Sequence, residues 1–315
     1  MKLGELVTEY VEFKQSLGMS FESNAVLLRA FHSFEGDVDV QEIKSESVLA
    51  YLYGKGSVTS YWHEKFRALT GLYRYAIARR YVTHSPLPAT TPKHPAPYVA
   101  YIYTPKELNL LLEAADTLEE TRCHMDGLSF RTLLLLLFNT GLRISEALSL
   151  TMVDVSLSED LIIIRDSKFG KSRLVPIDHR LGVVLQKYAE MKHAANNSQN
   201  QHSAFFVKRN GLPPTLRCVE TTFRRLCNLC GIRREDGARY QPRLHDIRHA
   251  FAVNRLLDWY KNGYDVQRLL PHLSTYLGHL DISSTQHYLK MIPELLHEAG
   301  NLFERYALSE ATHVK

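Results

Sequence analysis

Apolar side chains recur at intervals of three and four through the first part of the chain, which is the spacing of one buried face on an α-helix. Such spacing is seen in four successive segments. They are Leu3–Phe13, Ala25–Phe31, Val48–Leu52 and Tyr61–Tyr81. The pattern predicts a small all-helical domain over residues 1–83.

Prolines are concentrated directly after this domain, since six of the twelve lie within residues 84–105. A proline cannot continue a helix interior, and the residue before it favours extended backbone. We therefore expect a proline-rich linker over residues 84–104 and a second domain over residues 105–291.

The second domain combines helical and strand-like patterns. Thr132–Asn139 predicts a buried helix that Gly141 can end with a left-handed cap, and a further helix starts near Ile144. Two short apolar segments, Leu161–Arg165 and Arg173–Ile177, bracket a polar, glycine-containing stretch and predict a β-hairpin with a basic tip.

The last third of the chain is expected to be mostly helical. Ser203–Val207 is predicted to add a strand, and the pattern is helical from Thr215 to the end. The fold class expected is therefore mainly α with a small β-sheet.

A C-terminal tail over residues 292–315 predicts an amphipathic helix. Its apolar positions are Ile292, Leu295, Leu296, Ala299, Leu302, Phe303 and Tyr306. Such a helix would either cap its own domain or contact a neighbouring protomer.

Composition narrows the class of protein. Of the 315 residues, 45% are hydrophobic and 23% are charged, which excludes a disordered or collagen-like chain. The apolar segment Leu133–Phe138 is far shorter than the roughly 18 residues of a membrane span. Glu5, Glu9 and Glu12 stand where a signal peptide would be apolar. We expect a cytoplasmic protein without a membrane partner, whose four cysteines are thiols.

The net charge of +4 is unevenly distributed. Residues 1–92 contain 10 basic and 10 acidic residues, whereas residues 93–315 contain 28 and 24. Within residues 207–248 there are ten basic residues and four acidic ones. This stretch suits a surface that faces a polyanion, although a solvated helix face would have the same composition.

Six polar side chains of the second domain can carry chemistry. Each has an ordinary structural explanation when it is taken alone, such as a turn arginine, a helix-capping histidine or a half-buried tyrosine. In chain order they are Arg143, Lys168, His245, Arg248, His279 and Tyr288.

Metal-based interpretations explain less. Cys227 and Cys230 have no second cysteine pair at zinc-site spacing. Asp246, flanked by His245 and His249, would suit a metal-dependent phosphohydrolase, but that enzyme class leaves the arginine, lysine and tyrosine positions without a role.

The order of these motifs resembles that of the tyrosine site-specific recombinases, the phage-integrase family. The motifs are Thr-Gly-Leu-Arg-Ile-Ser-Glu at 140–146, Lys-x-x-Lys-x-Arg-Leu-Val-Pro at 168–176, His-x-x-Arg-His at 245–249, and Leu-Gly-His at 277–279 with Tyr288 nine residues later. The resemblance covers most of the chain. It implies a helical, SAM-like core-binding domain followed by an α+β catalytic domain.

The resemblance also implies a role for each residue. Arg143 and Arg248 would stabilise a scissile phosphate, because a guanidinium is planar, permanently charged and able to donate parallel hydrogen bonds. His245 would be the general base, His279 a hydrogen-bond donor, and Tyr288 the nucleophile of a 3′-phosphotyrosyl link. Lys168 would be the general acid, with Lys171 as the other lysine of the hairpin. No metal, ATP or other cofactor is implied.

The implied partner is double-stranded DNA with a specific recombination site. Predicted DNA contacts are Lys171, Arg173, Arg224, Arg225 and Arg243. The resemblance implies a homo-tetramer on two DNA sites and leaves open a second recombinase or an accessory protein. Integration or transposition of a mobile element is the expected role. The alternatives are resolution of chromosome or plasmid dimers, type IB topoisomerase activity, and DNA binding without catalysis.

Overall fold

A computed structural model describes residues 1–54, 56–96, 98–120, 125–167, 171–193, 202–238, 240–279, 281–283 and 285–286. The chain forms two compact units, Met1–Tyr98 and Val99–Lys315, and their boundary falls inside the proline-rich segment. The predicted bounds of the domains, linker and tail stay a prediction. None of the helices in these ranges is both long and apolar enough to span a membrane.

The described part of the first unit, residues 1–54 and 56–96 with Tyr98, contains four helices. They are α1 (Leu3–Ser16), α2 (Glu22–Glu35), α3 (Ser45–Tyr53) and α4 (Ser60–Ala78). Helix α4 packs against the other three, and its Leu69, Leu72 and Tyr73 are fully buried. The apolar side chains that repeat with the helical period in the sequence therefore pack together in one shared core.

In its described residues, the second unit contains seven more α-helices and one antiparallel sheet. The helices are α5 (Pro105–Asp116), α6 (Gly127–Thr140), α7 (Ile144–Leu148), α8 (His179–His193), α9 (Leu216–Leu229), α10 (Asp246–Lys261) and α11 (Val266–Leu277). The strands are β1 (Val155–Ser156), β2 (Leu161–Ser167) and β3 (Lys171–Pro176), in the order β1-β2-β3. The predicted fold class, mainly α with a small sheet, is confirmed.

Helix α6 lies at the centre of the second unit and packs against α5, α8 and α10. This explains its nearly continuous apolar sequence, because three neighbours leave little of its circumference for water. The helix ends at Gly141, whose φ of +60° favours glycine. A Cβ on Gly141 would also lie 2.5 Å from the Phe251 ring. The turn at Gly141 brings the chain round to Arg143.

The register of the sheet decides which face each side chain occupies. Ile162 pairs with Val175, and Ile164 pairs with Arg173. Directly paired residues project from the same face of an antiparallel sheet, so Arg173 lies on the same face as the buried Ile164. The neighbouring Arg165 therefore projects from the opposite face.

Two of the sequence predictions are wrong in this unit. Ser203–Val207 is not a strand, since only Ala204 forms a bridge, to Thr151. Phe205 and Phe206 are both buried, so this segment lacks the alternation of a half-buried strand. The helical pattern from Thr215 is also interrupted, because residues 230–238 and 240–245 form neither helix nor strand. The C-terminal tail over 292–315 lies outside the described residues.

Candidate active site

Three arginines converge on the C-terminal end of α11. Arg173 Nε donates to Tyr276 O (3.0 Å), Arg248 Nη2 to Leu277 O (2.6 Å) and Arg143 Nη2 to Gly278 O (2.9 Å). The last carbonyls of a helix lack partners within it and carry the negative end of its dipole. The end of α11 is therefore a fixed acceptor surface that gathers three guanidinium groups.

Arg143 is fixed from two sides. It is the residue before α7, and its backbone N–H donates to Glu146 Oε2 at 3.0 Å. Its Nη1 also donates to Glu146 Oε1 at 2.7 Å. The Arg143 side chain remains 24% exposed, so the guanidinium is oriented by the protein and still reachable from outside.

Arg248 lies in the first turn of α10 and is only 3% exposed. Its Nη1 donates to Gly141 O at 2.7 Å, in addition to the bond with Leu277. Arg248 thereby joins the ends of α6 and α11. The turn at Gly141 thus positions both arginines. Arg143 follows the turn two residues later in the sequence, and Arg248 donates a hydrogen bond to the carbonyl of Gly141.

His245 immediately precedes α10, and the residue is exposed. The ring meets that of His249 edge-on, with 5.1 Å between centroids. Desolvation by the surrounding protein, followed by the charges of His249 and Arg248, lowers the pKa of His245 to about 4. His245 is therefore neutral near neutral pH and can accept a proton.

His279 follows Gly278 at the end of α11. Its Nδ1 lies 2.7 Å from the hydroxyl of Thr285, whose side chain is fully buried. Desolvation, followed by the charges of Arg248 and Arg143, lowers the pKa of His279 to about 4. If the Thr285 hydroxyl donates to Nδ1, the neutral ring carries its proton on Nε2 and is a hydrogen-bond donor.

The structure therefore brings Arg143, Arg248 and His279 together, with His245 one turn from Arg248. Lys168 and Tyr288 lie outside the described residues. The roles assigned to all six residues stay predictions.

The predicted DNA-contact residues are placed differently from one another. Arg224 and Arg225 are exposed on α9, and Lys171 begins β3. Arg243 pairs with the buried Asp246 at 3.5 Å and keeps 43% of its side chain exposed. The prediction for Arg173 is not supported, because its side chain is only 10% exposed and its guanidinium is bound to Glu146. We do not assign Arg173 to DNA.

The sequence interpretation missed Glu146 and Thr285. Glu146 carried a usable signal, since an acidic residue three positions after the N-cap residue of a helix, here Arg143, is a capping pattern. Thr285 carried none, because a threonine in a polar stretch does not indicate that its hydroxyl will be buried against a histidine six residues away.

Comparison with known proteins assigns the chain to a family. The profile described as the phage integrase family matches residues 102–294. The protein y4rB of Sinorhizobium fredii, named as an integrase/recombinase, is 33% identical over 304 residues, with 96% of each chain covered. The chain belongs to the phage integrase family. The resemblance read from the motifs is confirmed, and this tyrosine recombinase is a DNA breaking and rejoining enzyme.

More distant members of the family also match along most of the chain. Tyrosine recombinase XerC of Bacillus subtilis is 26% identical over 93% of this chain and 92% of its own. The fold is similar to that of the Tn1549 transposon integrase in complex with transposon right end DNA, with a TM-score of 0.68 and 18% sequence identity, covering 98% of this chain and 100% of that chain. These matches extend beyond the catalytic motifs into the N-terminal unit.

Proposed function

We propose that this phage integrase family member is a site-specific recombinase that cuts DNA through a 3′-phosphotyrosyl link on Tyr288 and serves the integration or transposition of a mobile element. The observation that carries the mechanism is the convergence of Arg143 and Arg248 on two successive carbonyls where α11 ends, those of Gly278 and Leu277, directly before His279.

The two arginines suit the charge that develops on a phosphodiester under attack. The two side-chain hydrogen bonds recorded for Arg143 use two of its five N–H groups and fix the plane of its guanidinium. Arg248 is fixed in the same way by Gly141 and Leu277. Donors that are oriented before the substrate arrives stabilise the transition state without reorganising during the reaction.

The remaining residues would move protons. The Tyr288 hydroxyl oxygen attacks phosphorus and its proton passes to neutral His245, while the bond from phosphorus to the 5′-oxygen breaks. Lys168 gives a proton to that leaving oxygen, and His279 donates a hydrogen bond to the scissile phosphate. The products are a 3′-phosphotyrosyl link and a free 5′-hydroxyl, and attack by a 5′-hydroxyl reverses the step.

The DNA contacts would come from exposed basic residues of the second unit. Arg224 and Arg225 project from α9 on the side away from its buried Phe223 and Leu226. Neither arginine forms an ion pair within the described ranges, so both are available to phosphates. Lys171 and Arg243 complete the proposed set.

Two DNA sites would be joined by a homo-tetramer, with residues 292–315 as a contact between protomers. The integrase names of y4rB and of the Tn1549 protein support a mobile-element role. The match to XerC favours dimer resolution as the second candidate.

A trapped covalent intermediate tests the chemistry. A binding site is first selected from random duplex DNA, and duplexes of that sequence are made with a single nick at successive positions. A nick beside the cleavage point lets the short 5′-hydroxyl fragment diffuse away, so the adduct accumulates. Wild type and Tyr264→Phe, which changes an exposed tyrosine, should form the adduct in EDTA, while Tyr288→Phe should not. Strict dependence on a divalent metal, or an adduct with Tyr288→Phe, would contradict the mechanism.

Plasmid assays separate the biological roles. Joining of two separate plasmids, each with one selected site, is expected for an integrase or transposase. Deletion between two direct repeats without joining of separate plasmids would favour dimer resolution. Relaxation of supercoils with no recombinant product would indicate topoisomerase activity instead.

A further inference from the structure

The carboxylate of Glu146 is shared by two arginines that come from different elements. Arg143 reaches it from the start of α7, and Arg173 reaches it from β3, with Nη1 at 3.0 Å from Oε1 and Nη2 at 2.8 Å from Oε2. We infer that Arg173 is a positioning residue of the cleavage reaction, holding Glu146 so that Arg143 is free to bind the scissile phosphate. This inference rests on the proposed function.

The first argument is the burial of the carboxylate. The Glu146 side chain is 6% exposed, and a buried carboxylate needs both charge compensation and filled hydrogen-bond positions. Arg173 supplies both, because its parallel N–H groups bind the two oxygens of Glu146 at once. The side chain of Arg173 is itself 10% exposed, so this pair is sheltered from solvent.

The second argument is the competition for Arg143. Arg143 is the more exposed of the two partners of Glu146, and its role requires it to direct charge toward a phosphate. If Glu146 had only Arg143 as a partner, the carboxylate would compete with the phosphate for the same guanidinium. Arg173 satisfies Glu146 separately, which leaves Arg143 one side-chain bond to the carboxylate and one to Gly278.

The third argument is that the fold leaves a place for this guanidinium. Arg173 Nε donates to Tyr276 O. Gly278 has no side chain, which leaves space for the Arg173 guanidinium, because a Cβ on Gly278 would lie 2.7 Å from Arg173 Nη1. Arg173 therefore ties β3 to α7 and α11 at one point. Strand β3 follows the segment that contains Lys168 in the sequence. The contacts of Arg173 therefore connect the strand after Lys168 to the elements that hold Arg143 and Arg248.

The test compares Arg173→Gln with Arg165→Gln. Arg165 lies on β2, projects from the opposite face of the sheet and pairs with the buried Asp154, so its variant also loses an ion pair made by a strand of this sheet. Cleavage of the nicked DNA is measured on two substrates, one with the natural scissile phosphate and one with a methylphosphonate there. The methylphosphonate lacks one negative oxygen and depends less on guanidinium charge.

Arg173→Gln is expected to cleave the natural phosphate at least about tenfold more slowly than wild type, with a DNA dissociation constant within about twofold. On the methylphosphonate, the deficit relative to wild type should shrink to below about threefold, because less charge remains for Arg143 to stabilise. Arg173→Lys, which restores one charge without the paired donors, should fall between the two. Arg165→Gln should match wild type on both substrates.

The outcomes separate the explanations. An equal deficit of Arg173→Gln on both substrates, or wild-type cleavage by it, would overturn the inference. A weakened DNA dissociation constant with normal cleavage of bound DNA would assign Arg173 to DNA instead. If Arg173→Gln does not fold, the same two-substrate comparison is made with Arg173→Lys, where an equal deficit on both substrates also overturns the inference. Failure of wild type to form any adduct would refute the proposed function rather than this role.

Discussion

Replacing Gly278 by alanine measures how firmly Arg173 is held. Gly278 ends α11 with a φ of +69°, and its added Cβ would lie 2.7 Å from Arg173 Nη1 and 2.8 Å from Cζ. Contacts that short force the arginine to move. Because its guanidinium is bound to Glu146 and Tyr276 O, it can move only by weakening those bonds.

Gly263 provides a matched control for the backbone. Its φ is +72°, and an added Cβ would meet no atom within 4 Å. A left-handed L-residue costs roughly 1–2 kcal/mol, offset by about 0.4–1 kcal/mol from the stiffer unfolded chain. We therefore expect Gly263→Ala to lower the free energy of unfolding by about 1 kcal/mol.

Gly278→Ala should lower the free energy of unfolding by more than Gly263→Ala does, because it also disturbs the buried ion pair of Arg173 and Glu146. Complete removal of one partner from such a pair costs about 3–5 kcal/mol, and a displaced arginine loses a part of that, about 2 kcal/mol. The total is about 3 kcal/mol, which for a unit of this size lowers the melting temperature by about 6–12 °C, against about 2–4 °C for Gly263→Ala.

Thermal unfolding of the two variants and of wild type, followed by circular dichroism, gives both shifts. Cleavage of the nicked DNA by the two variants shows whether the displaced arginine also slows the reaction. Equal melting temperatures for Gly278→Ala and Gly263→Ala would refute the reasoning, because the cost would then be backbone strain alone.

Two further predictions concern the histidines. Thr285→Val removes the hydroxyl beside His279 Nδ1 and should slow cleavage by about tenfold or more without changing DNA affinity. Thr285→Ser keeps the hydroxyl and should cleave at a rate near that of wild type. Equal cleavage rates for the two variants would contradict this prediction. The pKa values of His245 and His279 are lowered from 6.5 to about 4 in the folded protein. Between these two pH values the histidines bind protons in the unfolded chain but not in the folded one, so the stability of wild type should fall as the pH drops from 6.5 to about 4. Melting temperatures measured across the interval should fall less for a His245→Asn, His279→Asn double variant, and an unchanged slope would refute the assignment.

The sequence predicted those parts of the fold that depend on local pattern. The apolar segment before Gly141 predicted α6, and the two short apolar segments after it predicted β2 and β3, because periodicity records which faces are buried. It misassigned Ser203–Val207, where two adjacent phenylalanines face the core together and tertiary packing replaces strand pairing.

For the site, the sequence predicted the identity of several residues but not how they pair. The motif order selected Arg143, Arg248 and His279, which the structure places at one helix end. The role of Arg173 was not predictable, because its partner Glu146 lies 27 residues away and a basic residue in a motif does not show whether it faces DNA or a buried carboxylate. Sequence pattern indicates charge and exposure, whereas pairing depends on the fold.

Desolvation is the main reason that the histidines of the site stay neutral, and the charge balance of the site adds to it. Three guanidinium groups meet at the end of α11, and one carboxylate, Glu146, pairs with two of them. Burial alone would raise the pKa of Glu146, but hydrogen bonds from Arg173 and Arg143 lower it to about 2, so the carboxylate stays charged well below neutral pH. The remaining positive charge disfavours a further proton on His279 and favours an anion beside it. In the proposed function a phosphodiester supplies that anion. Substrate binding would then balance the positive charge of the arginines, which the protein alone leaves partly uncompensated.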